Sequence, residues 1–282
     1  MRGINEASLG SANLVFLTLK TLELQHMMEE NRRDHTFLAI EEPEAHLHPH
    51  LQRSVYRHFF ENVLDDEDEN EDSELSVFLT THSPHIASVA PLDSIVLLRE
   101  TSDNGTVGYS TAEIDLTDDE EEDLARYLDV TRAEILFARG VILVEGDAER
   151  FLIPEFAKIM DLRLDHLGIA VCSVSGTNFH PYVKFLTTLA IPFAVITDWD
   201  PRDEGPPLGS RRIENLIRTI ASVPSGKVPP AVEAALKDVT EQKLRALAKV
   251  RGIFTNKRSF GKRSMRLYDA ACYSIFRRLH ER

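Results

Sequence analysis

The chain has 282 residues, and its length predicts roughly two domains, each large enough to bury a core. Its composition is that of a globular protein, without a signal-peptide pattern or an apolar run of the roughly 18 residues that a membrane span needs. The formal charge of −14 argues against a nucleic-acid partner, but two acidic runs hold most of the excess, and residues 237–282 are rich in Lys and Arg.

Because the charge is unevenly distributed, a nucleic acid is still a candidate partner. A local basic face can hold phosphates while the total charge is negative, so residues 237–282 are a candidate, with a merely solvated helix as the alternative. The acidic runs are residues 65–74 and 113–123, and the first of them predicts a solvated loop. Cys172 and Cys272 offer no disulfide framework, which favours a reducing cytoplasm.

The first half of the chain predicts helices and strands in mixed order. Leucines among good helix formers predict helices, and short β-branched runs bounded by turn residues predict strands. Asn104 and Gly105 predict the turn of a hairpin. The expected elements are a helix over 13–28, strands over 36–40, 76–80, 94–98 and 107–114, and a helix over 118–137 that leads to the second half.

Polar residues stand at the ends of two of these elements. Ser8, Gly10 and Ser11 lie in a run of small residues that opens the first helix, where exposed backbone N–H groups suit a phosphate. The first strand ends at Glu41 and Glu42. The first pattern indicates a site for a phosphate ligand, although any helix could begin in this way, and the second is the pattern of a Walker B motif.

Four histidines near the first strand suggest a zinc cluster as a competing interpretation: His46, His48, His50 and His58. The sequence has no cysteine near them that could complete such a site. The His-Leu-His alternation also fits poorly with the i, i+4 pairing of a helical zinc site. The zinc interpretation is therefore disfavoured.

The second half alternates strands and helices, which predicts a parallel sheet with right-handed crossovers. The expected strands are 141–144, 168–174 and 191–197, and the helices between them are 151–160 and 181–189. Asp147 is expected to cap the first of these helices. Further helices are expected over 211–221 and 230–250.

Acidic residues follow two of these strands. Glu145 follows strand 141–144, and Asp198 and Asp200 follow strand 191–197. Alternate residues of an extended strand face the same way, so Asp198 and Asp200 point to one side. If the two strands are neighbours, the three carboxylates converge and resist ionising together without a cation. Ligands that offer only oxygen predict an Mg²⁺ or Mn²⁺ site.

Three motifs of the second half resemble a Toprim domain, the catalytic fold of topoisomerases, bacterial primases and OLD (overcoming lysogenization defect) nucleases. They are Val-Glu-Gly at 144–146, Ser-Gly-Thr-Asn at 175–178 and Thr-Asp-Trp-Asp-Pro at 197–201. The resemblance equates the Toprim glutamate with Glu145 and the Asp-x-Asp pair with Asp198 and Asp200.

A fourth motif narrows this resemblance to one family. The run Ile-Glu-Glu-Pro-Glu-Ala-His-Leu-His-Pro at 40–49 is similar to OLD and related ATPases. The resemblance to OLD nucleases implies two Mg²⁺ or Mn²⁺ ions, with Glu149 as the candidate acid that contributes to the second one. It also implies a catalytic lysine late in the chain, for which Lys257 and Lys262 are the candidates.

The first half resembles the C-terminal half of an ABC-type ATPase head. Glu41 and Glu42 match the two acids of a Walker B motif, His82 matches the switch histidine, and residues 8–11 match the signature segment loosely. The phosphate-binding pattern Gly-x-x-x-x-Gly-Lys-[Ser/Thr] does not occur in the sequence. We therefore expect ATP to bind only with a missing N-terminal half.

The expected fold class is α/β, with a partial ABC-type ATPase lobe, a Toprim domain built on a Rossmann-like parallel sheet, and a helical C-terminal segment. The expected bounds are 1–137 for the ATPase lobe, 138–222 for the Toprim domain and 223–282 for the basic helical segment.

The function that the resemblance implies is metal-dependent DNA endonuclease activity, in DNA repair or phage defence. The implied partners are DNA, a second copy of the chain and an accessory helicase, with no membrane. The alternative is a regulatory or DNA-clamping ATPase fragment whose Toprim-like lobe does not catalyse. A topoisomerase would need a tyrosine nucleophile in a further domain, and a primase would need a template-binding module; neither is evident in the sequence.

Overall fold

The structure is a computed structural model that describes residues 9–29, 36–63, 75–101, 105–128, 133–198, 200, 208–223 and 253–256. These residues form two compact units. The first unit comprises the described residues up to Pro91 together with Ala133. The second comprises the described residues from Leu92 to Leu128 and from Glu134 onward.

The first unit pairs two strands and packs helices on them. Its elements are α1 (Leu9–Glu29), β1 (Thr36–Glu41), α2 (Pro49–Val63), β2 (Leu75–Thr80) and α3 (Pro84–Ala87). Strands β1 and β2 are parallel, and Glu41 lies opposite Thr80 at their carboxyl ends. Leu47, Tyr56 and Ile86 form the buried core of this unit.

A hairpin and a helix open the second unit. Strands β3 (Val96–Thr101) and β4 (Gly105–Ser110) are antiparallel, and helix α4 (Asp118–Tyr127) follows them. Thr117 and Glu120 form a capping box at the start of α4, in which each side chain accepts a hydrogen bond from the backbone N–H of the other residue. The cap fixes where this strongly acidic helix begins.

A parallel sheet forms the centre of the second unit, and its strands are connected by helices. The elements are β5 (Gly140–Val144), α5 (Asp147–Ile159), α6 (Leu164–Leu167), β6 (Ile169–Ser173), α7 (His180–Thr188), β7 (Phe193–Asp198), α8 (Leu208–Ser222) and β8 (Ile253–Asn256). The strand order is β6-β5-β7-β8, and every neighbouring pair is parallel.

The central strand β5 is buried on both faces. Ile142 and Val144 pack with Ile153 of α5 and Ile196 of β7 in one apolar cluster. Val141 and Leu143 point to the opposite face and are also fully buried. A continuous run of apolar residues therefore makes a central strand, because parallel sheets of this kind are covered on both sides.

The sequence predicted the α/β fold and the parallel sheet correctly, but it missed helix α2 between the first two strands and the short helix α6. Several bounds differ: α1 begins at Leu9 rather than residue 13, and α5 begins at Asp147 rather than residue 151. The helix expected over 118–137 was wrong in its length, since α4 ends at Tyr127 and Leu128 already has a non-helical backbone. The chain that follows, from Asp129 to Thr131, is poor in helix formers.

The C-terminal segment holds a strand that the sequence analysis missed. Strand β8 lies within the segment 223–282, which was expected to be helical, and it pairs with β7 in register Asp198 to Asn256. The helix expected over 230–250 lies outside the described residues. Among the described helices, none is long and apolar enough to cross a membrane.

Candidate functional site

Glu145 and the Asp-x-Asp segment meet at the carboxyl edge of the sheet. Strands β5 and β7 are neighbours, with Val144 opposite Ile196, so Glu145 comes beside Thr197. The backbone N–H of Asp198 donates to Oε1 of Glu145 at 2.8 Å, and the hydroxyl of Thr197 donates to the same oxygen. The Glu145 side chain therefore lies against the backbone of the Asp-x-Asp segment, because the two strands end side by side; that the three carboxylates converge stays a prediction.

Arg212 of α8 lies between the acids and binds two of them. Its Nη1 donates to Oε1 of Glu145 at 3.1 Å, and its Nη2 donates to Oδ2 of Asp200 at 2.9 Å. The three side chains are about one fifth exposed, at 20%, 22% and 23% for Arg212, Glu145 and Asp200. Charge-assisted hydrogen bonds of this geometry are among the strong ones in proteins, and partial burial limits their screening by salt.

The guanidinium also binds two acceptors that carry no charge. Nη1 donates to the backbone oxygen of Asp198 at 3.2 Å and to Oγ1 of Thr197 at 3.3 Å. Sequence reasoning missed Arg212, since its partner Glu145 lies 67 residues away. The local signal in the sequence is a basic residue near the start of the first helix after the Asp-x-Asp segment. In the structure, the N–H of Leu208, the first residue of that helix, donates to the backbone oxygen of Asp200 at 3.1 Å.

The turn after β6 approaches Glu145 from the other side. The N–H of Gly176 donates to the backbone oxygen of Glu145 at 2.8 Å, and Gly176 has φ of 157° while Ser175 has φ of 55°. A glycine suits this turn because it tolerates a backbone conformation that L side chains rarely adopt. The Ser-Gly-Thr-Asn motif thus borders the same edge as the acids.

Glu149 lies in the first turn of α5, close to Glu145 in the chain. Its Oε2 would be 3.3 Å from a Cβ placed on Gly146, so the carboxylate turns back over the start of the helix. An acid there complements the positive end of the helix dipole. The expectation that Asp147 caps this helix was wrong: Gly146 holds the N-cap position and Asp147 is already helical.

The acids suit a divalent cation in kind but are not arranged around one. Carboxylate oxygens are the donors that Mg²⁺ and Mn²⁺ prefer. Within the described ranges, however, no three His, Cys, Asp or Glu side chains are grouped so that they could hold a metal ion. A guanidinium joins Glu145 to Asp200 instead. The roles of Glu145, Glu149, Asp198 and Asp200 as metal ligands stay predictions.

Glu42 and His82 of the first unit also lie near each other at a sheet edge. Nε2 of His82 lies 3.7 Å from Oε1 of Glu42, and both side chains are exposed. The backbone N–H of His82 donates to Oε1 of Glu44 at 2.7 Å, which ties the loop after β2 to the loop after β1. Glu41 is the last residue of β1 and is exposed. Their roles in nucleotide binding stay predictions.

Gly10 and Ser11 lie in the first turn of α1, and Ser8 lies outside the described residues. A Cβ on Gly10 would be 2.2 Å from the backbone oxygen of His46, so the helix touches the loop after β1 there. This close approach gives Gly10 a packing role, whether or not the segment binds a phosphate. Lys257 and Lys262 also lie outside the described residues.

Two family profiles match the chain, one in each half. Residues 136–200 match the Toprim domain of proteins similar to the overcoming lysogenization defect protein. Residues 3–87 match an AAA ATPase domain.

Individual relatives agree with these profiles. The chain is 32% identical over 174 residues to the OLD nuclease of Thermus scotoductus, covering 59% of this chain and 32% of that protein. It is 26% identical over 239 residues to the endonuclease GajA of Bacillus cereus strain HuB5-5, covering 75% of this chain and 33% of that protein. It therefore spans about a third of the length of these relatives.

Among solved structures, the chain is similar to the C-terminal region of the Burkholderia pseudomallei OLD protein. The identity is 46%, the match covers 43% of this chain and 54% of that one, and the TM-score is 0.36. The profiles and the sequence relatives agree: the chain has a region similar to an AAA ATPase domain, followed by a region similar to an OLD-like Toprim domain.

Proposed function

We propose that this chain is a metal-dependent DNA endonuclease of the OLD ATPase-nuclease type. The observation that carries the proposal is the meeting of Glu145 with the Asp198–Asp200 segment at one edge of a parallel sheet. Ligands bind at that edge in open α/β sheets. The match to an OLD-like Toprim domain and the relatives named as nucleases support the same activity.

Four carboxylates of this edge would hold two Mg²⁺ or Mn²⁺ ions in the proposed enzyme: Glu145, Glu149, Asp198 and Asp200. When bound, such ions activate water, orient a phosphate and neutralise developing charge. The chain itself orients the glutamate, because Thr197, Asp198 N–H and Arg212 all donate to its Oε1. These three donors all bind Oε1, so we propose that Oε2 of Glu145 is the oxygen that would bind a metal ion.

The remaining parts of the proposal concern nucleotide and partners. ATP would be bound by Glu41, Glu42, His82 and the segment of Ser8, Gly10 and Ser11 only together with a phosphate-binding loop, a motif that these 282 residues lack. DNA, a second copy of the chain and an accessory helicase are the proposed partners. We place the protein in the cytoplasm, in DNA repair or phage defence.

Plasmid nicking tests the proposal. Glu145→Ala and Asp198→Ala each remove one carboxylate, and we expect the nicking rate in Mg²⁺ or Mn²⁺ to fall by roughly a hundredfold or more while the circular dichroism spectrum is retained. Glu155→Ala is the matched control, because Glu155 is an exposed acid of α5 whose partner is Lys158. Nicking by either site variant at the wild-type rate would count decisively against the endonuclease.

One observation favours a second candidate, a regulatory or DNA-clamping fragment that does not cleave. Arg212 neutralises acids that a nuclease would offer to metal ions. A DNA-binding assay and a nicking assay on the same preparation separate the two functions. Divalent-metal and DNA binding without any cleavage would favour the clamp.

A further inference from the structure

We propose that Arg212 is a built-in counter-ion of the acidic edge, which competes with divalent metal ions for Glu145 and Asp200. This inference rests on the proposed metal site and adds a residue that controls how tightly the site binds its ions. Arg212 takes one carboxylate oxygen from each of two acids that come from different strand ends. The guanidinium thus holds together groups that would otherwise repel one another.

Some contacts of Arg212 anchor its side chain, whereas another can be released. The side chain is anchored at the end of β7, where Nη1 donates to the backbone oxygen of Asp198 and to the hydroxyl of Thr197. Thr197 is 1% exposed, so these anchoring contacts lie at the edge of the packed core of the unit. The hydrogen bond to Asp200 uses the other terminal nitrogen, Nη2, and is separate from those of Nη1. Asp200 can therefore be released to another cation while Arg212 stays anchored.

Asp200 has an uncommon backbone conformation and is hydrogen-bonded to the helix that carries Arg212. Its φ is 43°, in the left-handed region that residues other than glycine rarely adopt. The hydrogen bond from the Leu208 N–H to the Asp200 oxygen ties this residue to the start of α8, the helix that carries Arg212. This hydrogen bond therefore keeps Asp200 next to the start of the helix that carries the guanidinium.

Competition follows from the charges. A fixed positive charge beside Glu145 and Asp200 opposes a second cation at the same carboxylates, and in a partly buried site this opposition is weakly screened. Removal of the guanidinium should tighten binding of a divalent ion by about tenfold or more. The same removal should lower stability without metal, because the acids then face each other unneutralised.

The test compares Arg212→Gln with Arg218→Gln in the full chain. Both variants remove one positive charge from α8, but Arg218 is 56% exposed and pairs with Glu214 on the same helix. Mn²⁺ binding is measured by electron paramagnetic resonance of free Mn²⁺, and the melting temperature is measured with and without Mn²⁺. We expect Arg212→Gln to bind Mn²⁺ about tenfold more tightly, to melt at a lower temperature without metal, and to gain more on adding Mn²⁺. Arg218→Gln should behave as wild type.

Arg212→Lys keeps the test decisive if the glutamine variant does not fold. A lysine offers one point charge in place of the planar fork and cannot bind both acids side by side. We therefore expect Mn²⁺ affinity between those of wild type and Arg212→Gln. Folded Arg212 variants that bind Mn²⁺ as wild type does, or more weakly, would overturn the counter-ion and make Arg212 a residue that merely positions the ligands.

The failure of this inference differs from the failure of the proposed function. If wild type binds Mn²⁺, and Glu145→Ala and Asp198→Ala abolish that binding, the metal site stands and the Arg212 variants alone decide the counter-ion. Mn²⁺ binding by Arg212→Gln when wild type binds none would support strong competition. If neither protein binds Mn²⁺, both the metal site and the counter-ion are refuted.

Discussion

Replacing Lys184 with methionine should lower the free energy of unfolding of the second unit. Lys184 of α7 donates to Oε2 of Glu120 at 2.6 Å and to the backbone oxygen of Asp115 at 2.8 Å. These bonds join α7 to the capped start of α4. Methionine keeps most of the apolar stem, so the substitution chiefly removes the charge and its hydrogen bonds.

The magnitude follows from the burial of the pair. Exposed ion pairs contribute about 0–1 kcal/mol, whereas breaking a fully buried pair costs about 3–5 kcal/mol. The side chains of Lys184 and Glu120 are 19% and 21% exposed, which places the pair between these limits. We expect a loss of about 2–3 kcal/mol in the free energy of unfolding, including about 1 kcal/mol for the hydrogen bond to Asp115.

The effect should also depend on pH. Partial burial acts to raise the pKa of Glu120, but the hydrogen bonds and charge of Lys184, with the backbone N–H of Thr117, outweigh it and hold the pKa below its usual value of 4.5. A carboxyl group whose pKa is lower in the folded state stabilises the fold above its unfolded pKa, and this stability is lost as pH falls through the folded value. The difference between wild type and Lys184→Met should therefore shrink below about pH 4.5.

Urea unfolding followed by fluorescence measures this difference. The chain has one tryptophan, Trp199, which adjoins Asp198 in the sequence and so reports on the second unit. Lys158→Met is the control, because Lys158 pairs with Glu155 on an exposed face and the two side chains are 61% and 62% exposed. Its cost should stay below about 0.5 kcal/mol. Equal costs for the two lysine variants, or a cost for Lys184→Met that does not change with pH, would refute the reasoning.

Two further predictions concern packing and protonation. Alanine usually stabilises a helix relative to glycine by about 1 kcal/mol, but Gly10→Ala should destabilise the first unit by about 1–3 kcal/mol, because its Cβ would lie 2.2 Å from the His46 backbone oxygen. Thermal unfolding followed by circular dichroism would show this against Asn13→Ala on the same helix, and a more stable Gly10→Ala would contradict the close approach. Burial lowers the pKa of His180 from 6.5, with opposing effects of Glu120 and Lys184, so wild type should lose stability as pH falls below about 6.5. Nδ1 of His180 contacts the Thr219 hydroxyl at 2.6 Å, and His180→Asn can keep a donor to that hydroxyl. Urea unfolding between pH 7 and about pH 5 should show that the variant does not lose stability as wild type does. An identical pH dependence of the two proteins would assign the loss to other groups.

The sequence by itself determined where the strands of the sheet end and which residues follow them. The run Val141–Val144 is apolar at every position and ends at Glu145, which predicts a central parallel strand with an acid at its carboxyl edge. The same reasoning placed Asp198 and Asp200 at the carboxyl end of the next strand, and Asp198 is the last residue of β7. These predictions succeeded because a short continuous apolar run and a sudden change to polar residues are local properties of the chain.

Other features were decided only by the tertiary structure. Strand β8 has four residues, and such a short segment becomes a strand when the free edge of β7 supplies hydrogen-bond partners. Arg212 meets Glu145 across 67 residues, and Lys184 meets Glu120 across 64. No local pattern encodes which basic side chain reaches which acid, since that depends on the strand order and on how each helix packs against the sheet. The chain's sequence therefore assembled the acids, and the packing of α8 decided that a guanidinium stands among them.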